Sequence, residues 1–171
     1  MIQIYTGNNK GKTTAAIGQG IRACGNGLNV IMIQFLKTSS SGELNILKNI
    51  DNFTVKRFEK TKGFVWNLNE EEKMQLKGEI REAYNYAVDV IKNNKCDMLI
   101  LDEIMGVLYN KFLTVDEVIN LLDYNKTNIE IILTGRDAPK GLIERADLVT
   151  EMKCIKHYYD KGVPARKGIE Y

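Results

Sequence analysis

Short runs made almost wholly of apolar residues recur along the chain, separated by longer stretches in which apolar positions return every three or four residues. The short runs, at 2–5, 30–35, 98–101, 129–133 and 148–152, are rich in Ile, Val and Leu and predict strands of a buried sheet. The longer stretches predict a helix over 12–24, stopped by Gly25-Asn26-Gly27, and a long helix over 70–94. A weaker helical pattern covers 43–48, and two short helices are expected between 104 and 122, where Thr114 and Glu117 have capping-box spacing. Residues 54–58 form a candidate extra strand. Strands apolar on both faces, joined by segments long enough for crossover helices, predict an α/β fold with a doubly wound, mainly parallel sheet. The polar segments 37–42 and 59–69 are expected to be mobile loops, and with no repeat or linker in sight residues 1–171 read as a single domain.

The chain has 171 residues and 44% hydrophobic residues, long enough for a core without staples. With 24 Lys and Arg against 22 Asp and Glu, the net charge of +2 supplies no basic track for nucleic acid and no membrane-binding face. No stretch approaches the roughly 20 apolar residues of a bilayer span, and no leader pattern is present at the N-terminus, so a cytoplasmic location is expected. Cys24, Cys96 and Cys154 form no C-x-x-C pair and read as reduced, buried thiols.

The strongest chemical signal is TGNNKGKTT, 6–14, placed between the first strand and the first helix. Such a loop turns successive backbone N–H groups toward one point, and the helix N-terminus adds its positive end, so an oligophosphate is held by main chain. Lys12 is positioned to neutralise phosphate oxygens and Thr13 to ligate Mg²⁺. The usual G-x-x-x-x-G-K-[ST] spacing would put glycine at Thr6, whereas here it stands at Gly7, so the motif is a variant. A second signal is Asp102-Glu103, directly after the apolar run 98–101. Carboxylates leaving a central parallel strand beside a phosphate loop can hold Mg²⁺; a helix cap followed by a first-turn acid is the plainer alternative. These two elements alone fit a kinase or ATPase equally well.

Beyond the loop, the sequence resembles the ATP:corrinoid adenosyltransferases of the CobA/BtuR/CobO type. The resemblance runs through TGNNKGKTTAA (6–16), Gln34-Phe35-Leu36-Lys37, Gly63-Phe64-Val65-Trp66, Leu101-Asp102-Glu103-Ile104, LTGRDAP (133–139), LIERADLVTEMK (142–153) and KHYYDKGVPARKGIEY (156–171). It implies transfer of the 5′-deoxyadenosyl group of ATP to the Co(I) of a corrinoid, with triphosphate leaving and no phosphoryl group transferred. It further implies Mg²⁺, a homodimer and a flavoprotein reductant. A phosphohydrolase or kinase, and a corrinoid carrier or sensor without turnover, stand as the alternatives.

By that resemblance Thr6, Gly7, Asn8, Asn9, Lys10, Gly11, Lys12, Thr13 and Thr14 belong to the triphosphate loop, and Arg22 on the first helix would reach nucleotide groups. Glu103 with Thr13 would hold Mg²⁺, with Asp102 behind them. Phe64 and Trp66 match an aromatic pair implied to displace the lower axial base of the corrinoid; a half-buried hairpin is the alternative reading. Arg136 lies past a strand end, the ligand edge of an open α/β sheet, with an ion pair to Asp137 or Glu144 as the alternative. His157, the lone histidine, reads as a packing or hydrogen-bonding residue.

The sequence departs from the family pattern at several positions. Asn9 stands where glycine is usual, which suits a left-handed backbone. Met105, Gly106 and Tyr109-Asn110 replace the usual continuation after the acidic pair, and Tyr158 and Arg166 replace Pro and Gln. These changes fall near the corrin and the C-terminal segment, so they bear on substrate preference. Longer family members carry an N-terminal extension over the ATP site; a chain that begins at its first strand is expected to have a looser cover or one supplied differently.

Overall fold

The computed structural model describes residues 1–37, 41–61, 63, 65–126 and 129–170. Its strands are β1 (Ile2–Thr6), β2 (Val30–Gln34), β3 (Phe53–Lys56), β4 (Met98–Asp102), β5 (Glu130–Thr134) and β6 (Leu148–Glu151). They form one six-stranded sheet in the order β3-β2-β4-β5-β1-β6, and every neighbouring pair is parallel. The helices are α1 (Lys12–Cys24), α2 (Leu44–Leu47), α3 (Glu70–Lys92), α4 (Ile104–Tyr109), α5 (Val115–Asp123) and α6 (Lys140–Arg145), with 3₁₀ turns at Val65–Asn67 and Tyr158–Lys161.

Alternation along each central strand divides the core into two layers. Val30 and Met32 of β2, Met98 and Ile100 of β4 and Ile132 of β5 face α1 and α2 with Ala16, Ile17, Ala23 and Leu47. Ile31, Ile33, Leu99, Leu101, Ile131 and Leu133 face the opposite side, against Ile80, Ala83, Ala87 and Val90 of α3 and Val118, Leu121 and Leu122 of α5. The sheet is thus doubly wound, as the two-sided apolar runs predict. Gly20 of α1 sits where an added Cβ would lie 2.6 Å from the Phe53 ring, so a small residue sets the spacing of helix and sheet.

α3 is specified at both ends. Asn69 and Glu72 form a reciprocal capping box, Glu70, Glu71 and Glu72 line the first turn, and Lys92 lies in the last. It stops at Lys92, two residues short of the expected end, and Asn94 adopts a left-handed φ of 49°. The capping box of Thr114 and Glu117 is present on α5.

Several expectations need correction. β6 is not a buried strand: all four residues are exposed, because it is the sheet's edge and pairs only with β1. Of the three free thiols, Cys96 is buried, Cys24 is half-buried and Cys154 is exposed, the last because it follows the edge strand. The segment 59–69 is not uniformly an outward loop, since Glu59 and Thr61 are buried and Val65–Asn67 forms a 3₁₀ turn rather than a hairpin. Part of 37–42 lies outside the described residues. Among the described residues no helix is long and apolar enough to cross a membrane.

Candidate nucleotide and acceptor site

In a parallel sheet the strand C-termini share one edge, and ligands bind there. β1, β2, β4 and β5 release their chains at this edge into residues 7–11, 36–37, 103 and 135–137. Together with Trp66 and the C-terminal segment, these line a cleft of about 1100 Å³. β5 lies between β1, which carries the phosphate loop, and β4, which carries the acidic pair.

The loop's left-handed positions are Gly7, φ 109°, and Gly11, φ 118°. At Gly7 a Cβ would lie 2.4 Å from Met152 O, so the displaced glycine is required by contact with the chain leaving β6 as well as by its φ. Asn9 is not at positive φ, contrary to the expectation for it. Its backbone N–H donates to Met152 O (3.2 Å), and its side chain to Lys153 O (3.4 Å). Asn8 Oδ1 accepts from Cys154 N (3.3 Å). Both asparagines therefore tether the loop to residues 152–154.

Lys12 folds back over the loop and donates to Gly7 O and Asn9 O, each at 2.7 Å. Burial pulls its ammonium pKa down; Glu103 opposes this and Arg136 adds to it. Lys10 instead donates to Ile169 O (2.6 Å) and Glu170 Oε1 (3.1 Å), linking the loop to the C-terminal segment. Glu170 also accepts from Tyr158 and from Arg166, and these partners, Arg166 first, hold its carboxyl far below the usual range.

The centre of the site is Asp102, at 0% exposure. Its Oδ1 accepts from Thr13 Oγ1 (2.8 Å) and Thr134 Oγ1 (2.7 Å); its Oδ2 accepts from Lys37 Nζ (2.7 Å) and Gln34 Nε2 (3.1 Å). Thr134 accepts in turn from Glu103 N (2.9 Å), and Gln34 Oε1 accepts from Arg57 at 2.8 and 2.6 Å. Four donors, one of them the Lys37 ammonium, saturate the carboxyl, so Asp102 orients the Thr13 hydroxyl and has no lone pair left for a metal ion in this arrangement.

Glu103 has a left-handed φ of 63°, the turn that ends β4 and opens α4. Its carboxyl lies over Gly106, where a Cβ would stand 3.0 Å from Oε1. Burial, and then the charge of Asp102, raise its pKa, against Lys37, Lys12 and Arg136. A half-buried carboxyl beside a threonine hydroxyl is an all-oxygen donor set suited to Mg²⁺, which keeps several waters and is shared with substrate phosphates. Among the described residues no cluster of three or more His, Cys, Asp and Glu competes for a metal. Thr13 and Glu103 are the residues that would hold the ion.

Thr14 and Arg136 also line the cleft, and Thr6 precedes the loop, its Oγ1 accepting from Ala138 N (3.3 Å). Trp66 lines the same cleft at 77% exposure; Phe64 lies outside the described residues. Arg22 is not brought to the cleft. It sits in the last turn of α1 with Gln19, about 15 Å along the helix from Lys12 by helical rise. His157 caps the Tyr158–Lys161 turn, its Nδ1 accepting from Tyr159 N (3.0 Å).

Sequence reasoning assigned no role to Lys37, Thr134, Glu59 or Glu170. Lys37 lay inside a segment carrying the resemblance, and a lysine just past a strand end was the available signal. Glu59 is 8% exposed, donates nothing, accepts from Leu36 N (3.2 Å) through Oε1 and leaves Oε2 without a partner. Burial raises its pKa, and the neighbouring Glu79 adds to that.

A glycine-bearing loop between a strand and a helix, with its threonine bound to the carboxyl ending the next strand but one, defines a P-loop nucleotide-binding protein. Comparison with known proteins narrows the class: residues 1–171 match the family described as ATP:corrinoid adenosyltransferase BtuR/CobO/CobP, and the chain belongs to that family. It is 35% identical to the corrinoid adenosyltransferase of Escherichia coli (strain K12), over 100% of this chain and 85% of that protein. It is 34% identical to the corrinoid adenosyltransferase CobA of Salmonella typhimurium (strain LT2), with the same coverage. Among solved structures, the flagellar accessory protein FlaH from Methanocaldococcus jannaschii shares the fold, at TM-score 0.52 and 16% identity over 88% of this chain and 69% of that one.

Proposed function

We infer that the protein transfers the 5′-deoxyadenosyl group of ATP to the cobalt of a corrinoid, acting as a cob(I)alamin or cob(I)yrinic acid a,c-diamide adenosyltransferase. The observation that carries this reading is one cleft lined by both a phosphate loop and an exposed tryptophan. An oligophosphate suits the loop and a large, mostly apolar macrocycle the aromatic lining.

In the reaction, the electron pair of Co(I) attacks C5′ of the ribose, the cobalt–carbon bond forms, and the C5′–O bond breaks. The triphosphate leaves with that bond's electrons, and the cobalt is oxidised to Co(III). The substrate supplies the nucleophile, so a protein general base is unnecessary and the protein's task is alignment and stabilisation of the departing charge. Loop N–H groups and Lys12 stabilise the triphosphate, with Arg136 at the same edge. Thr13 and Glu103 would hold Mg²⁺, which when bound would offset charge on the phosphates. Trp66, with Phe64, addresses the lower face of the corrinoid. We further propose that residues 1–171 act as one domain in a cytoplasmic homodimer, that a flavoprotein supplies the electron making Co(I), and that neither nucleic acid nor membrane takes part.

The test is an anaerobic reaction with ATP, Mg²⁺ and chemically reduced cob(I)alamin, following the corrinoid spectrum and separating triphosphate from ADP. Adenosylcobalamin with equimolar triphosphate is expected. ADP without a cobalt–carbon bond would make the protein a phosphohydrolase or kinase, and binding without product would make it a carrier or sensor.

A further inference from the structure

We propose that Lys37 is a tethered counter-ion: its ammonium occupies the cation position beside Thr13 and Asp102, and an arriving metal ion drives it out toward the triphosphate. This rests on the assignment of Thr13 and Glu103 as metal-holding residues.

The hydrogen-bond directions carry the argument. Thr13 has one hydroxyl proton, which it gives to Asp102 Oδ1 at 2.8 Å. Its oxygen lone pairs face Lys37, whose Nζ donates at 3.2 Å. Those lone pairs are the ones a metal bound through Thr13 would need. The same ammonium lies 2.7 Å from Asp102 Oδ2. It therefore occupies the side of the Thr13 oxygen that a metal held there would need, and a divalent cation and an ammonium cannot share that space without strong repulsion.

Of the donors around Asp102 Oδ2, Lys37 is the one free to leave. Gln34 is fully buried and locked by two bonds from Arg57. The Lys37 side chain retains 27% exposure and lines the cleft, and its four-carbon stem can swing without moving the backbone. The pairing also has a purpose of its own: a wholly buried carboxylate without a cation is costly, and Lys37 supplies one. When metal and oligophosphate enter together, the metal's charge replaces the ammonium's beside Asp102 and Lys37 gains phosphate oxygens as partners. Metal alone must displace Lys37 without that compensation, so the site favours metal arriving with its nucleotide.

The experiment measures Mn²⁺ binding by electron paramagnetic resonance in protein without nucleotide or corrinoid, for wild type, Lys37→Gln, Lys37→Arg and Glu103→Gln. Lys37→Gln is expected to bind Mn²⁺ at least tenfold more tightly than wild type, and Lys37→Arg to stay within about threefold of it. Because Lys37→Gln could disturb folding, a second measurement uses wild type alone: trace acetylation read peptide by peptide. Adding Mg²⁺ at constant ionic strength is expected to raise Lys37 labelling at least threefold relative to the other lysines. Equal Mn²⁺ affinity in wild type and Lys37→Gln, or Lys37 labelling unmoved or reduced by Mg²⁺, overturns the inference. Binding equal in those two but lost in Glu103→Gln sinks only the role of Lys37. No binding in any variant sinks the metal assignment and this inference with it.

Discussion

Thr13, the second residue of α1, donates its hydroxyl proton to Asp102, the last residue of β4, across 2.8 Å and 89 positions of sequence. This bond joins the phosphate loop's helix to the acidic strand and fixes which face of the hydroxyl remains for a cation. Thr13→Val deletes both the bond and the metal-facing oxygen, so turnover should fall about 10²–10³-fold. Thr13→Ser, which keeps the hydroxyl, should stay within about threefold of wild type. Steady-state rates for the two variants at saturating ATP and Mg²⁺ check this.

Lys12→Ala removes the ammonium that now rests on Gly7 O and Asn9 O. Those carbonyls face the cleft, where water can replace the lost donor, so the fold should persist while kcat drops about 10²–10³-fold. Circular dichroism alongside the triphosphate assay separates the two effects; full turnover in a folded variant would refute the role given to Lys12.

Gly106→Ala places a methyl group 3.0 Å from Glu103 Oε1 and 3.1 Å from Leu36 Cδ1. The glutamate and the leucine must give by a few tenths of an ångström. A loss of about tenfold in kcat is expected, with the unfolding free energy changed by less than about 1 kcal/mol. The glycine is one of this chain's departures from the family pattern, and the geometry gives it a reason: room for the acidic side chain.

Glu59 has a raised pKa and an oxygen without a partner. A carboxyl with a raised folded-state value binds more protons folded than unfolded, so stability falls as pH climbs from the ordinary glutamate range through that raised value. Glu59→Gln abolishes this slope while keeping an acceptor for Leu36 N. Relative to wild type, the variant should gain stability as pH rises through that range. Urea unfolding at a pH below and a pH above it measures this; parallel curves would show that Glu59 does not titrate there.

Trp66→Ala strips an exposed indole from the cleft lining. Loss of an aromatic stacking surface of about 0.5–1.5 kcal/mol should raise KM for the corrinoid up to about tenfold. KM for ATP should not change. A shift in both constants would place the tryptophan at the nucleotide instead.

What the sequence revealed and what it concealed divide along physical lines. The strands around the loop were legible because β2, β4 and β5 are apolar on both faces, and the cap of α5 because it is a four-residue signal. The loop itself was legible because its residues are contiguous. The partners of Asp102 were not: Gln34 and Lys37 approach it from 68 and 65 residues away, and only strand pairing brings them together. Arg22 misled because helical distance was not weighed; ten residues of helix carry a side chain far from the loop that opens it. β6 misled because its apolar letters resemble those of a central strand, while its edge position is a property of sheet order.

The bonding between loop and edge strand has a dynamic consequence. Met152 N donates to Thr6 O at 2.8 Å and Asn9 N to Met152 O at 3.2 Å, so the β1–β6 ladder runs on past the strand ends into the phosphate loop. The loop's amide protons should therefore exchange with solvent at rates governed by fraying of the sheet's outermost and least covered strand. Any opening of the loop is thereby coupled to the element that is easiest to peel.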